Sequence, residues 1–287
     1  MDLRAVAMGV AFAVMWSSAF ATARIIVAHA PPLAALSLRF ALSGLIAVIA
    51  ARVLGQGWRL TGVQARSVLV FGICQNALYL GLNFVAMQSV EASLAVIIAA
   101  SMPLIVALLG WAFLGQRVPP LGVAGLVVGM AGVALIMSTR VSGGADPRGI
   151  ALCILGAVAL AVATLTVRGA SAGGNLLMIV GLQMLVGSVA LGMVSAITET
   201  LSVRWSVSLV AAFTYQLFIP GLAATLLWFA LVGRIGAVRA STFHFLNPFF
   251  GVVVAAVLLG ERIGPLDLLG VAVVMAGILA VQLSRRG

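Results

Sequence analysis

Ten apolar runs, each about 20 residues long, divide this sequence and constrain its fold more than any other feature. Hydrophobic residues make up 63% of the chain and charged residues only 8%, which excludes a soluble fold because so much apolar surface cannot be hidden from water. Runs of this length predict helices, since a membrane β-barrel needs shorter segments of alternating polarity. We therefore predict an all-α integral membrane protein with ten transmembrane helices, near residues 5–27, 33–54, 67–88, 92–113, 121–139, 148–168, 175–197, 208–232, 237–259 and 266–283.

The segments between the runs are too short to hold a soluble domain, and they contain turn-forming pairs such as Pro31-Pro32. The first run follows Arg4 and resembles a signal peptide, but its apolar character continues to about residue 28, which favours a helix. Cys74 and Cys153 are isolated inside apolar runs. Their isolation gives no sign of a metal site or a cofactor, and neither is predicted.

The net charge of +10 comes from arginines scattered between the runs, so it predicts membrane topology and no nucleic-acid partner. All the basic residues are arginine, which together with the many Ala and Gly residues hints at a GC-rich bacterial genome. The side of the N-terminus has ten arginines: Arg4, Arg52, Arg59, Arg66, Arg117, Arg168, Arg234, Arg239, Arg285 and Arg286. The other side has five: Arg24, Arg140, Arg148, Arg204 and Arg262. The positive-inside rule then predicts a multi-pass protein of the bacterial inner (plasma) membrane with both termini in the cytoplasm.

An internal repeat relates the two halves of the chain at a constant offset of 145 residues. The residues that recur are Phe84, Ala92, Pro103, Leu114, Gly115, Arg117, Pro120, Leu121, Gly125, Met130, Ala131 and Gly132. We predict two homologous five-helix repeats, residues 1–140 and 148–287. Because five is odd, the second copy must enter the membrane with inverted topology. Inverted repeats around a central cavity are most commonly found in transporters.

Particular motifs identify the repeat with a known family. The stretch Met15-Trp16-Ser17-Ser18-Ala19-Phe20, followed by Pro31-Pro32 and Leu38-Arg39-Phe40, resembles the opening of an EamA repeat, and Leu114-Gly115-Gln116-Arg117 and Leu259-Gly260-Glu261-Arg262 resemble its close. The resemblance covers essentially the whole chain and implies the drug/metabolite transporter superfamily. It also implies that the last helix of each half is peripheral and that the other eight surround a central cavity. Within the superfamily, the chain is similar to bacterial amino-acid and metabolite exporters, including the YddG type.

Polar residues near the middle of the third predicted helix are candidates for substrate binding. Asn76, Tyr79 and Asn83 follow helical i, i+3, i+7 spacing and form one polar stripe. Such residues are costly in lipid unless they face protein or water, so a cavity lining is one interpretation. Hydrogen bonding between helices is the other.

The ninth predicted helix carries Ser241, His244, Asn247 and Pro248 close together. A proline inside a helix leaves the carbonyl of residue i−4 without its donor, so Pro248 would free the carbonyl of His244 to accept an ammonium group. Its repeat partner Pro103 would likewise free that of Ala99, with Ser101 nearby as a further candidate. Both prolines are predicted hinges, and a plain kink is the alternative. Ala99 corresponds to His244 and Met102 to Asn247, so the predicted site is asymmetric.

Further candidates lie elsewhere in the spans. Arg39 is about 9 Å inside the second helix, where it either reaches back to the interface or binds a carboxylate. Trp16, Tyr79 and Trp228 are suited to stacking on an apolar or aromatic substrate, although Trp228 also fits the interfacial aromatic belt. Ser17, Thr164 and Gln183 complete the predicted substrate-binding set.

The six acidic residues all fall at span ends or in loops, so the sequence has no carboxylate inside a span to bind a cation. Small multidrug-resistance relatives depend on a Glu in the first helix, where this chain has Trp16, Ser17 and Ser18. His244 is the one mid-span side chain that titrates near neutral pH.

These features predict an exporter of small metabolites, most of all aromatic or neutral amino acids, that works by alternating access without tight ion coupling. We expect a small-molecule substrate, a lipid environment and a monomer or homodimer. A proton-coupled drug or nucleotide-sugar carrier is the alternative. An intramembrane enzyme built on Ser241 and His244 is a remote one, because no hydrolase signature accompanies them.

Overall fold

The computed structural model describes residues 3–115, 119–142, 144–166, 175–235, 240 and 242–284. Its described part is all-helical and forms ten helices, as predicted. These are α1 (Leu3–Val27), α2 (Pro32–Val53), α3 (Gly62–Val70, Phe71–Leu80 and Gly81–Ala86), α4 (Ala92–Ala100 and Met102–Leu114), α5 (Pro120–Ser142), α6 (Pro147–Thr166), α7 (Leu176–Thr198), α8 (Val207–Gln216, Leu217–Ala223 and Ala224–Ile235), α9 (Thr242–Leu246 and Asn247–Leu259) and α10 (Pro265–Ser284). Nine of these described helices are long and apolar enough to span a membrane, and α9 is represented by a shorter apolar helix, Phe243–Leu259.

Helix α3 begins at Gly62, five residues before the predicted start at residue 67. The side chain of Thr61 accepts a hydrogen bond from the amide of Gln64 at 3.3 Å, and the side chain of Gln64 accepts one from the amide of Thr61 at 3.0 Å. This capping box stabilises a polar first turn. Hydropathy locates the apolar part of a helix, whereas capping chemistry locates its start.

The backbone repeats itself at the offset of 145 residues. Helix α4 breaks at Ser101 and α9 changes from a 3₁₀ to an α segment at Leu246, which is residue 101 plus 145. The second segments end at Gly115 and Gly260, both left-handed, with φ values of 60° and 67°. Helices α3 and α8 both contain a π-helical segment, Phe71–Leu80 and Leu217–Ala223.

Equivalent helices of the two halves pack against each other. Helix α2 packs along α7, α5 along α10, and α4 against α9. Helix α1 packs on α8 and α9, while its counterpart α6 packs on α3 and α4. The pair α5 and α10 approaches closely because small residues face each other, so that a Cβ added to Gly277 would overlap the backbone of Gly129.

Connections 28–31, 87–91, 199–206 and 260–264 meet at one end of the bundle, called here the Val27 end. The amide of Arg204 donates to the carbonyl of His29 at 2.8 Å, and Ser89 donates to the carboxylate of Asp146 at 2.8 Å. Helix α6 therefore begins at the end where its counterpart α1 finishes. This opposite direction is consistent with inverted repeats.

Carboxylates cap two helices at the Val27 end. Glu199, after α7, accepts hydrogen bonds from the amides of Leu33 and Ala34 in α2, both at 2.9 Å. Glu261, after α9, accepts from the first two amides of α4 at 2.8 and 3.0 Å. At the opposite end the amide oxygen of Gln56, after α2, accepts from the amide of Met178 in α7 at 3.0 Å. Helices α2 and α7 thus cap each other, one with a charge and one without.

Candidate functional site

The imidazole of His244 lies among aromatic rings in the described structure. Its ring centroid is 5.3 Å from Phe12 and 5.9 Å from Trp16 on α1, and 5.0 Å from Trp228 on α8. Phe12 and Trp228 also contact each other, with centroids 4.8 Å apart. Edge-on contacts of this kind hold an imidazole in a fixed orientation. Helices from both halves therefore build this aromatic cluster.

Asn247 connects the aromatic cluster to α1. Its side-chain nitrogen lies 2.9 Å from Nδ1 of His244, and its backbone carbonyl accepts a hydrogen bond from Ser17 at 3.2 Å. The side-chain oxygen of Asn247 is buried and has no partner among the described residues. A buried acceptor without a donor is unfavourable until a ligand or water supplies one.

The predicted residues Trp16, Ser17, Trp228, His244 and Asn247 are therefore brought together. Phe12 belongs with them and was missed, because a phenylalanine inside an apolar run gives no separate signal. Ser241 lies outside the described residues.

The prolines lie in the first turn of the second segments of α4 and α9. In a first turn the missing N–H of a proline takes no donor away from the helix. At the α4 break, Ser101 donates to the carbonyl of Ile98 at 2.6 Å within its own helix. Pro103 and Pro248 thus lie just after the junctions between the two segments of each helix, and at the α4 junction the hydroxyl of Ser101 is satisfied within its own helix.

A second polar cluster lies nearer the Val27 end of α1, at Ala19 and Thr22, and centres on Arg39 of α2. The guanidinium Nη1 donates to Oε1 of Gln216 at 2.7 Å, and Nε2 of Gln216 donates to the carbonyl of Ala19 at 2.6 Å and to the hydroxyl of Thr22 at 3.2 Å. Arg39 also lies over the ring of Phe40, 4.5 Å from its centroid. Helices α1, α2 and α8 meet here, and the side chain of Arg39 is buried among them.

Gln216 was not among the predicted residues. Its signal was available in the sequence, since an amide nine residues into the apolar run that begins at Val207 is as unusual as Gln183.

The stripe on α3 lies at contacts between helices. The side-chain nitrogen of Asn76 donates to the backbone carbonyl of Gln183 on α7 at 2.9 Å, and that of Asn83 donates to the carbonyl of Tyr79 at 2.8 Å. The Tyr79 hydroxyl and the Asn83 side-chain oxygen are buried and have no partner in the described part of the chain. Asn76 uses its amide to join α3 to α7, whereas Asn83 lies against α6 at Gly156, so the stripe meets two helices. Asn76 and Tyr79 lie in the π-helical segment, whose turn is wider than the predicted spacing assumes. Thr164 is exposed and bonds to its own helix at Leu160, away from both clusters.

An open cavity of about 410 Å³ lies at the Val27 end. His29, Gln88, Glu199 and Arg204 are among the residues that line it. The cavity is open to the outside and is bordered by Glu199, the residue that caps α2.

Comparisons with known proteins agree with this architecture. The sequence model of the EamA-like transporter family matches residues 3–138 and again residues 147–283. The chain is 27% identical over 273 residues to the uncharacterized transporter YvbV of Bacillus subtilis, covering 94% of this chain and 88% of that one. It is 25% identical over 280 residues to the uncharacterized inner membrane transporter YedA of Escherichia coli K12, covering 95% and 88%. A solved crystal structure superposes with a TM-score of 0.68 at 20% identity, covering 100% of this chain and 99% of that one, and so shares the fold.

Proposed function

We propose that this chain, which belongs to the EamA-like transporter family, exports small zwitterionic metabolites, foremost aromatic or neutral amino acids, by alternating access. The chain is a membrane transporter and not an enzyme. The observation that carries the proposal is the aromatic cluster around His244. Flat rings suit an apolar or aromatic side chain, and the unpartnered oxygen of Asn247 suits an ammonium group.

The proposed mechanism uses the two repeats, residues 1–140 and 148–287, as inverted units with both termini in the cytoplasm of a bacterial inner membrane. Helices α4 and α9 bend at Pro103 and Pro248, and Asn76, Tyr79, Asn83 and Gln183 line the route. The opposite directions of α1 and α6 support this arrangement, as does the contact of α4 with α9. A monomer or a homodimer would serve equally.

We further propose that transport is downhill and not tightly coupled to an ion. The carboxylates of Glu199 and Glu261 lie at the Val27 end and accept hydrogen bonds from backbone amides at helix starts, as does that of Asp146 at the start of α6. No carboxylate of the sequence falls in the middle of a span to hold sodium or a proton. His244 is held by Asn247 and aromatic rings, which suits positioning of a substrate.

Counterflow into liposomes tests the proposal. Purified protein should exchange labelled L-phenylalanine and L-leucine without an imposed pH or sodium gradient. Replacement W228A should lower the exchange of L-phenylalanine about ten-fold, since one aromatic contact and its burial are lost. The matched control W111A removes a tryptophan of α4 that is 59% exposed and should leave exchange unchanged.

Two results would count against the proposal. Exchange that requires a proton gradient would remove the uncoupled mechanism and favour proton coupling. Failure to exchange any amino acid, by protein that is folded and correctly inserted, would remove the substrate class.

A further inference from the structure

Arg39 is a buried cation without a counter-charge. Its side chain is 6% exposed, and no ion pair joins it to a carboxylate anywhere in the described part of the chain. A charge inside the membrane region is unfavourable unless it is paired or faces water, and such residues commonly mark substrate pathways.

Gln216 fixes the position of Arg39 without neutralising it. A backbone carbonyl can only accept, so the contact with Ala19 requires the nitrogen of the Gln216 amide on that side. The amide oxygen must then face Arg39, as it does at 2.7 Å. Because an amide has no formal charge, the positive charge of the guanidinium remains available to an anion.

Two donors beside this contact are unsatisfied. Nε of Arg39 and the hydroxyl of Ser43 are both buried and have no hydrogen-bond partner among the described residues. Ser43 follows Arg39 by one helical turn, so both side chains lie on the same face of α2. That face meets the π-helical segment of α8 at Gly221, where an added Cβ would come within 3.4 Å of the Ser43 hydroxyl. The glycine keeps side-chain atoms away from these donors.

A guanidinium edge and a hydroxyl, both free to donate, are the groups that bind a carboxylate. We propose that Arg39 and Ser43 bind the carboxylate of the transported molecule, with Gln216 as the positioning residue. This inference rests on the proposed function and narrows it: the substrate class is carboxylates, amino acids included, and excludes amines that lack an acid group.

The experiment compares an acid with its neutral isostere. Exchange into liposomes and thermal stabilisation in detergent are measured with L-phenylalanine, L-phenylalaninamide and phenylacetate. The wild-type protein should prefer L-phenylalanine to the amide by about ten- to a hundred-fold, the value of a charge-assisted hydrogen bond.

Replacement R39M should abolish this preference. R52M, which removes an exposed cation at the end of the same helix, should keep it. If R39M does not fold, S43A provides the same test, since it should weaken acid binding about ten-fold and leave the amide unaffected. If the contact between Arg39 and Gln216 had only a structural role, R39M would lower the yield of folded protein and would change the exchange of the acid and of the amide by the same factor.

The outcomes separate the inference from the proposed function. Exchange of L-phenylalanine and its amide at equal rates overturns the inference and leaves amino-acid transport intact. Stabilisation by phenylacetate that depends on Arg39, without exchange of amino acids, supports the inference and overturns the amino-acid substrate. Absence of stabilisation by every acid overturns both.

Discussion

The second segments of helices α4 and α9 match in backbone, but the residues at their junctions differ in chemistry. Each second segment follows an equivalent residue, Ser101 or Leu246, has a proline at its second position and ends at a left-handed glycine. In α4 the junction carries Ala99 and Met102, and its serine bonds to its own helix. In α9 the equivalent positions hold His244 and Asn247. The ring of His244 contacts Phe12 of α1, and the backbone carbonyl of Asn247 accepts a hydrogen bond from Ser17 of α1. The repeat thus supplies the same junction twice, and the contacts with the rings and the serine of α1 are made by the α9 copy.

The caps of α2 and α7 show the same difference at the ends of the bundle. Glu199 gives α2 two hydrogen bonds and a negative charge near its positive dipole end, whereas Gln56 gives α7 one neutral hydrogen bond. Of these two caps, the one at the Val27 end is therefore charged and the one at the opposite end is neutral.

The largest expected effect comes from removing the chemistry of α9. H244A takes away the edge contacts with Phe12, Trp16 and Trp228 and the hydrogen bond to Asn247, about 2 kcal/mol in total, so transport should fall about 30-fold. Initial rates of amino-acid counterflow measure this loss. The control is H29A, which removes the histidine at the Val27 end, and it should stay close to wild type. Unchanged transport by H244A would show that α9 is no more specialised than α4.

A smaller effect, on the unfolding free energy, is expected when the caps of α2 and α7 are made chemically alike. E199Q removes the charge and replaces one of the two accepting oxygens by an NH2 group, which cannot accept, so one amide hydrogen bond is lost as well and the unfolding free energy should fall by about 1.5 kcal/mol. Thermal unfolding in detergent, followed by tryptophan fluorescence, measures the change. The reciprocal variant Q56E adds a charge at the start of α7 and should stabilise the protein slightly. Equal effects of the same sign for both variants would contradict the asymmetry of the ends.

The sequence allowed the helices to be predicted because apolar runs of sufficient length depend on local composition. Pro103 and Pro248 lie in the first turn of the second segments of α4 and α9, and their role as hinges stays a prediction. The π segments of α3 and α8 were not predicted, because an extra residue per turn has no clear local signature. The start of α3 was missed because its first turn is polar.

The candidate site could be predicted only in part. Asn76, Tyr79 and Asn83 are all buried, but their spacing did not show that Asn76 meets α7 whereas Asn83 meets α6. Arg39 was recognised as unusual, yet its partner Gln216 lies 177 residues away in the chain, and only the folded structure shows that contact. Roles in transport remain predictions for all of these residues.

Truncation of the Asn247 side chain should lower the transport rate modestly. N247A removes the side-chain contact with His244 but keeps the backbone carbonyl that accepts from Ser17. Side-chain hydrogen bonds between membrane helices contribute about 0.6 kcal/mol on average, so transport should fall about three-fold. M102A is the control at the equivalent position of α4, and its counterflow rate should change less. A greater loss in M102A would place the more important junction in the first half.

The smallest effect is expected from S101A at the α4 junction. Its hydroxyl bonds to the carbonyl of Ile98, which also accepts from the Ser101 amide at 3.1 Å, so the carbonyl keeps a donor after the substitution. Stability should therefore change by less than about 0.5 kcal/mol, and counterflow should stay close to wild type. Thermal unfolding and initial rates measure both quantities on the same preparation. A ten-fold loss of transport in stably folded S101A would show that the α4 junction also takes part in transport, and the contrast between the α4 and α9 junctions would then be wrong.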